Sequence, residues 1–256
     1  MSNRETHSEP DRVAIVLAAG EGKRMRSPLP KVLHEIQGVP LAVHVLRAAR
    51  EVGIERVVMV VGHGKETVRS AIEDDWDCEF VIQPVQRGTA DAVNRAMEVL
   101  TGFRGTMVVL SGDVPLLRAE TIKTMLAEHE GEDRGVTLLT AILEDPTGYG
   151  RIVRDAAGTV EAIVEEKDAD DEVRAIREFN SGIYCFNTDQ LRSVLDSIGA
   201  DNRQREFYLT DAVHLMKMKG VPVGAVVAET ADEVLGVNTP EDLERTRALY
   251  RARQAR

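Results

Sequence analysis

Three short apolar runs constrain this chain more than any other feature in it. They are VAIVLAA over residues 13–19, RVVMVV over 56–61 and TMVVL over 106–110, each closing on a glycine turn. A strand with one wet face alternates apolar and polar side chains, and these runs do not alternate. Unbroken runs of this length are the pattern of parallel strands buried on both faces. Stretches of helical pattern follow at 41–51, 65–74, 89–100 and 119–130, with a short strand at 79–83. Strand and helix in alternation imply βαβ units and an α/β fold with a mostly parallel central sheet.

The pattern changes after residue 136. Strands are expected at 136–143, 151–154, 160–165 and 182–186 with fewer helices between them, which reads as a smaller inserted mixed-sheet region, about 136–220, lying over the first sheet. Helices return at 189–198 and 209–219, then a strand at 223–228. Asn238-Thr239-Pro240-Glu241-Asp242 is a helix-start signal leading into a basic terminal helix. Residues 1–11 are polar and read as a disordered tail before a single domain over 12–256.

Acidic residues outnumber basic ones by 43 to 32, giving a formal net charge of −11. That argues against a nucleic-acid partner, which needs a basic face. Cys78 and Cys185 stand far apart, without the spacing of a zinc site. No apolar run is long enough to span a bilayer, and the polar N-terminus lacks the apolar core of a secretory signal, so no membrane partner and a cytoplasmic location are expected.

Against this acidic background, LAAGEGKRMRSPLPK over 17–31 stands out as a basic, glycine-containing loop directly after a buried strand. Glycines let backbone N–H groups approach phosphate oxygens, and Arg or Lys neutralises their charge. Two familiar versions fail. The dinucleotide fingerprint needs a third glycine where Met25 stands. The Walker loop needs Ser or Thr after Gly-Lys, where Arg24 stands.

What remains, G-x-G-x-R-M followed after a short spacer by LPKVLH, resembles the signature of the sugar-phosphate nucleotidylyltransferases. Within them the chain is most similar to the N-acetylglucosamine-1-phosphate uridylyltransferase domain of bifunctional bacterial enzymes. Further stretches agree in order: GHG at 62–64, GTADA at 88–92, GDVPLL at 112–117, DPTGYGRIVRD at 145–155, IVEEKDA at 163–169, FNSGIYCF at 179–186, REFYLTD at 205–211 and GVN at 236–238. The resemblance implies a Rossmann-like, GT-A-like nucleotidyltransferase fold. The implied reaction is UTP plus GlcNAc-1-phosphate giving UDP-GlcNAc and pyrophosphate, with Mg²⁺ as cofactor.

Residue by residue, the resemblance implies that Arg24 and Lys31 carry the catalytic charge. Leu17, Ala18, Ala19 and Gly20 would hold the nucleotide, while Gln83, Gly88 and Thr89 would read uridine. An amide suits a uracil edge, as donor to a carbonyl and acceptor from an N–H. Gly112, Gly150, Glu165 and Asn180, with Tyr208 and Thr210, would take the sugar. Asp113 and Asn238 would hold the metal. Several positions depart from the commoner family pattern: Ser111 for tyrosine, Glu21 for lysine, and Ser181 and Phe207 for threonine and tyrosine. Family members that continue into an acetylating β-helix carry repeats that are not seen here, so no such domain and a monomer or weak dimer are expected. The alternatives are another nucleotide or sugar on the same fold, or a non-catalytic nucleotide-sugar sensor; the presence of Arg24, Lys31 and Asp113 counts against the sensor.

Overall fold

The computed structural model describes residues 12–255. The disordered tail expected over residues 1–11 lies outside them. The strands are β1 (Arg12–Ala18), β2 (Glu35–Ile36), β3 (Val39–Pro40), β4 (Arg56–Val61), β5 (Glu79–Ile82), β6 (Thr106–Ser111), β7 (Val136–Ile142), β8 (Arg151–Arg154), β9 (Val160–Val164), β10 (Glu178–Asn187) and β11 (Val223–Val227). The helices are α1 (Leu41–Glu51), α2 (Lys65–Ser70), α3 (Thr89–Val99), α4 (Ala119–Gly131), α5 (Asp171–Arg174), α6 (Thr188–Leu195), α7 (Asp211–Met218) and α8 (Pro240–Gln254).

The main sheet runs β11-β7-β10-β6-β1-β4-β5, with β8 and β9 hung from β10. Four of its six pairings along that path are parallel, and β10 supplies the two antiparallel ones. The strands after residue 136 therefore do not stack over the first sheet. β7 and β10 extend it sideways, and only β8 and β9 leave the main path. The sequence hides this because β10 carries Asn180-Ser181-Gly182 in its middle, which reads as a turn. Gly182, at φ +78°, instead makes an irregularity inside one ten-residue strand, so β10 starts at Glu178 rather than at 182. The hairpin β2–β3 and the short α5 have no sequence signal long enough to show them.

Side-chain alternation along the buried strands explains the three layers. Ala14 and Val16 of β1, Val57 and Met59 of β4, and Val108 and Leu110 of β6 pack on one face with α1 and α4. Val13, Ile15, Val58, Val60, Met107 and Val109 point to the other face, against α3, α6 and α7. Each such aliphatic side chain taken out of water contributes about 1.5–3 kcal/mol. A third, small core joins Met25, Ile36, Leu41, Val237 and Leu243, with Tyr250 against it. It pins the basic loop to the hairpin and to α8. Among the described residues no helix is long and apolar enough to cross a membrane.

Candidate active site

Strands β1, β4, β5 and β6 are mutually parallel, so their C-terminal ends share one sheet edge, where ligands of open α/β sheets bind. Two adjoining cavities lie there. The first, about 280 Å³, takes in Leu17, Ala19, Gly20, Gln83, Gly88 and Thr89, together with Lys31 and Asp113. The second, about 180 Å³, takes in Gly150, Glu165, Asn180 and Thr210. They meet at Leu17, Thr89 and Ser111.

The basic loop is shaped for Lys31. After β1 the chain makes a 3-10 turn at Lys23–Met25, buries Met25, and makes another at Lys31–Leu33. Gly22 sits at φ +62°, and a Cβ there would come within 2.8 Å of the Lys31 Cβ, so only glycine lets the two turns close on each other. The Lys31 ammonium pairs with Asp113 and donates to Asn238 Oδ1 at 3.1 Å. Asn238 Nδ2 donates to the Gly236 carbonyl, which leaves its Oδ1 facing the lysine. The Val237 amide donates to the Asp113 carbonyl at 2.9 Å, tying the two oxygen donors together. Asp242 accepts from the Asn238 and Thr239 amides, so the helix-start signal is realised as a capping box of α8.

The structure thus holds a cation, the Lys31 ammonium, between a carboxylate and an amide oxygen. That donor set suits a hard divalent ion. Among the described residues no three His, Cys, Asp or Glu side chains cluster to hold a metal. An ion here would rest on Asp113 and Asn238 and complete its shell from phosphates and water.

Arg24 lies on the exposed first turn and lines neither cavity. Ala18, Gly112 and Tyr208 do not line the cavities either. Gly112 is buried, and its amide donates to the Leu17 carbonyl at 3.0 Å. Tyr208 is buried, with its hydroxyl accepting from Gln204 at 2.7 Å.

At the second cavity, the Asn180 backbone amide donates to the Gly150 carbonyl at 2.8 Å, and Asn180 Nδ2 donates to the Tyr184 hydroxyl at 2.7 Å. A Cβ on Gly150 would lie 3.1 Å from Ile163, so glycine keeps β8 close to β9. Glu165 accepts from Thr210 at 3.3 Å. Burial raises its carboxyl pKa above the usual range, and the carboxylates of Asp168, Asp211 and Glu206 push the same way. Burial likewise raises the Tyr149 hydroxyl.

Two residues outside the sequence expectation also matter, Gln86 and Asp91. Gln86 donates to the Ala19 carbonyl at 3.2 Å and holds the start of the loop. Asp91 holds Gln83, which is buried and whose Nε2 donates to the Gly88 carbonyl at 3.0 Å and to Asp91 Oδ2 at 2.8 Å. The N–H groups of Gln83 are therefore engaged within the protein, and the expected donor half of its amide is not available to a base. The Q-x-x-Q spacing in a turn after β5 was the only sequence signal for Gln86.

The two cavities are stitched along one wall. The Phe207 amide donates to the Arg87 carbonyl at 2.7 Å, the Ala90 amide to the Phe207 carbonyl at 2.9 Å, and the Leu209 amide to Thr89 Oγ1 at 3.0 Å. A Cβ on Gly88 would overlap the Phe207 carbonyl oxygen.

Residues 14–183 match the family model of the MobA-like NTP transferase domain. The chain is 45% identical over 227 residues to the bifunctional protein GlmU of Bacillus licheniformis, covering 89% of this chain and 49% of that protein. It is 47% identical over 236 residues to the protein of the same name from Corynebacterium efficiens, covering 90% and 49%. The chain spans about half the length of these curated relatives. A solved UDP-glucose pyrophosphorylase complexed with UDP-glucose shares the fold, with a TM-score of 0.76 at 17% identity, over 94% of this chain and 99% of that one.

Proposed function

The chain belongs to the family of MobA-like NTP transferase domains, and on that premise we propose that it transfers uridylyl from UTP to N-acetylglucosamine-1-phosphate, releasing pyrophosphate. What carries this reading is the Lys31 ammonium seated between Asp113 and Asn238, where Lys31 and Asp113 line a cavity that adjoins a second, polar one. On this reading the first cavity takes the nucleoside triphosphate and the second takes the sugar, whose hydroxyl and N-acetyl groups would face Glu165, Asn180 and Thr210. The resemblance to N-acetylglucosamine-1-phosphate uridylyltransferases supports that pair of substrates.

The sugar phosphate attacks the α-phosphorus of UTP opposite the departing pyrophosphate. It is already an anion, so no general base is required, and catalysis consists of positioning and charge neutralisation. Leu17 to Gly20 hold the nucleotide through the backbone at the end of β1. Lys31, on a turn fixed by Gly22, meets the phosphates, and Arg24, exposed on the neighbouring turn and outside the cavity lining, would have to swing in to add its charge. Loss of one such preorganised charge costs about 10²–10³ in rate. Nucleotidyltransferases generally use a divalent metal, and here Asp113 and Asn238 would hold Mg²⁺, which when bound neutralises phosphate charge as a Lewis acid. Glu165 and Asn180 orient the sugar, with Asn180 itself braced by Tyr184.

A pyrophosphate-release screen of the four nucleoside triphosphates against several sugar 1-phosphates tests this. Release greatest with UTP and GlcNAc-1-phosphate, and abolished by EDTA, is the expected result. Release with another pair only would reassign the substrates, and no release with any pair would overturn the enzymatic reading.

A further inference from the structure

A side-chain amide is ambiguous as a reader of bases, because a half-turn exchanges its donor and acceptor ends. Uracil presents an N–H donor at ring position 3; cytosine presents a lone pair there. An amide free to turn accepts both. Gln83 is only 3% exposed and is not free to turn. The Gly88 carbonyl accepts one bond from its Nε2, and Asp91 Oδ2 accepts the other at 2.8 Å. Neither acceptor has a proton to offer in return, so the turned amide would set oxygen against oxygen at both places. Asp91 lies in the first turn of α3, with its side chain 14% exposed and its other oxygen 3.9 Å from Arg95 on the outer side. The atom of Gln83 left for a ligand is Oε1, an acceptor.

We propose that Asp91 is a positioning residue for base selection: by engaging Nε2 of the cavity-lining Gln83 it leaves only the acceptor Oε1 for ring position 3 of the base, which favours a pyrimidine with an N–H there over one with a lone pair there. This rests on the nucleotidyl-transfer reading above. A bond from an amide to a carboxylate is stronger than one to a carbonyl, so Asp91 supplies the greater share of the constraint.

The test compares kcat/KM for UTP and CTP with GlcNAc-1-phosphate in wild type, Asp91→Asn and Asp91→Leu, with calorimetric binding of each nucleotide alone as a second readout. The asparagine variant offers Gln83 either end of an amide, and the leucine variant offers it no polar partner. The UTP-over-CTP preference is expected to fall at least tenfold in both variants. It is expected to fall no further when Asp91→Asn is added to Gln83→Leu. A preference that survives in both single variants overturns the proposal. So does a parallel loss of activity with UTP and CTP, which is what a purely helix-capping aspartate would give. So does a further fall in the double variant, because Asp91 would then act other than through Gln83. If wild type turns over neither nucleotide, the functional reading fails first, and this proposal with it.

Discussion

Replacing Lys31 by Met keeps the length of the side chain and removes its charge. The Lys31 and Asp113 side chains are 16% and 17% exposed, so the pair is neither fully screened nor fully dry. At an effective dielectric constant of about 20, unit charges about 4 Å apart attract by about 4 kcal/mol, and the desolvation of both groups offsets much of that. Folding stability should therefore fall by only about 1–3 kcal/mol. Turnover should fall much more, by about 10²–10³, because a fixed charge aimed at the phosphates is lost. Metal affinity should move the opposite way. In the ligand-free protein the ammonium occupies Asp113 and the Asn238 oxygen, and a divalent ion must displace it. A hydrogen bond to a charged group is worth about 1.5–3 kcal/mol, so Mn²⁺ should bind the nucleotide-free variant roughly tenfold or more tightly. Pyrophosphate release reads the first effect, and Mn²⁺ titration followed by electron paramagnetic resonance reads the second. A variant with turnover within threefold of wild type, or with unchanged Mn²⁺ affinity, refutes the reasoning.

Three further outcomes are expected. Glu165 has a raised pKa, so the native state holds its proton more tightly than the unfolded chain; stability from this group is lost as pH rises from the ordinary carboxylate range through the raised value. Glu165→Gln should thus raise the melting temperature at pH 7 and not at pH 4, while raising the KM for the sugar phosphate at least tenfold; equal melting shifts at both pH values would contradict it. Burial lowers the His129 pKa to about 4, where Thr137 Oγ1 lies 3.1 Å from its Nδ1. The unfolded chain then takes up the proton first, so this group should remove up to about 3 kcal/mol as pH falls from 6.5 to 4. Urea unfolding of His129→Gln should show that much less acid sensitivity, and an unchanged pH slope would exclude the histidine as its source. Gly88→Ala places a Cβ at φ +120° against the Phe207 carbonyl, so it should cost about 1–3 kcal/mol in stability and weaken nucleotide binding; a neutral melting temperature would show that the wall yields.

The parallel half of the fold was legible because its strands are buried on both faces. Unbroken runs such as VAIVLAA and RVVMVV cannot be placed elsewhere, and α1 and β4 have the bounds that the sequence implies. The antiparallel half was less legible. In β10 the Asn180-Ser181-Gly182 stretch has turn chemistry and breaks the register at Gly182, yet the strand runs on through it, and local propensity cannot reveal that β6 and β7 pair with β10 on its two edges. The candidate site divides in a similar way. Lys31, Asp113 and Asn238 belong to motifs, and the structure brings them together from positions up to 207 residues apart. Gln86 and Asp91 act through single hydrogen bonds to backbone or to another side chain, and such partners have no fixed spacing. The orientation of the Gln83 amide was legible least of all, because it depends on what surrounds the group rather than on its identity.

The stitched wall between the cavities has a consequence for engineering. The loop at 87–90 lines the first cavity through Gly88 and Thr89, and the segment at 207–210 lines the second through Leu209 and Thr210, yet three hydrogen bonds make them one wall. A graft that imports only residues 207–210 from a relative must also match the host's register against Arg87, Thr89 and Ala90. Recombination between relatives should therefore succeed when both stretches come from the same parent and fail when they are split, so the two cavities should be inherited as one module.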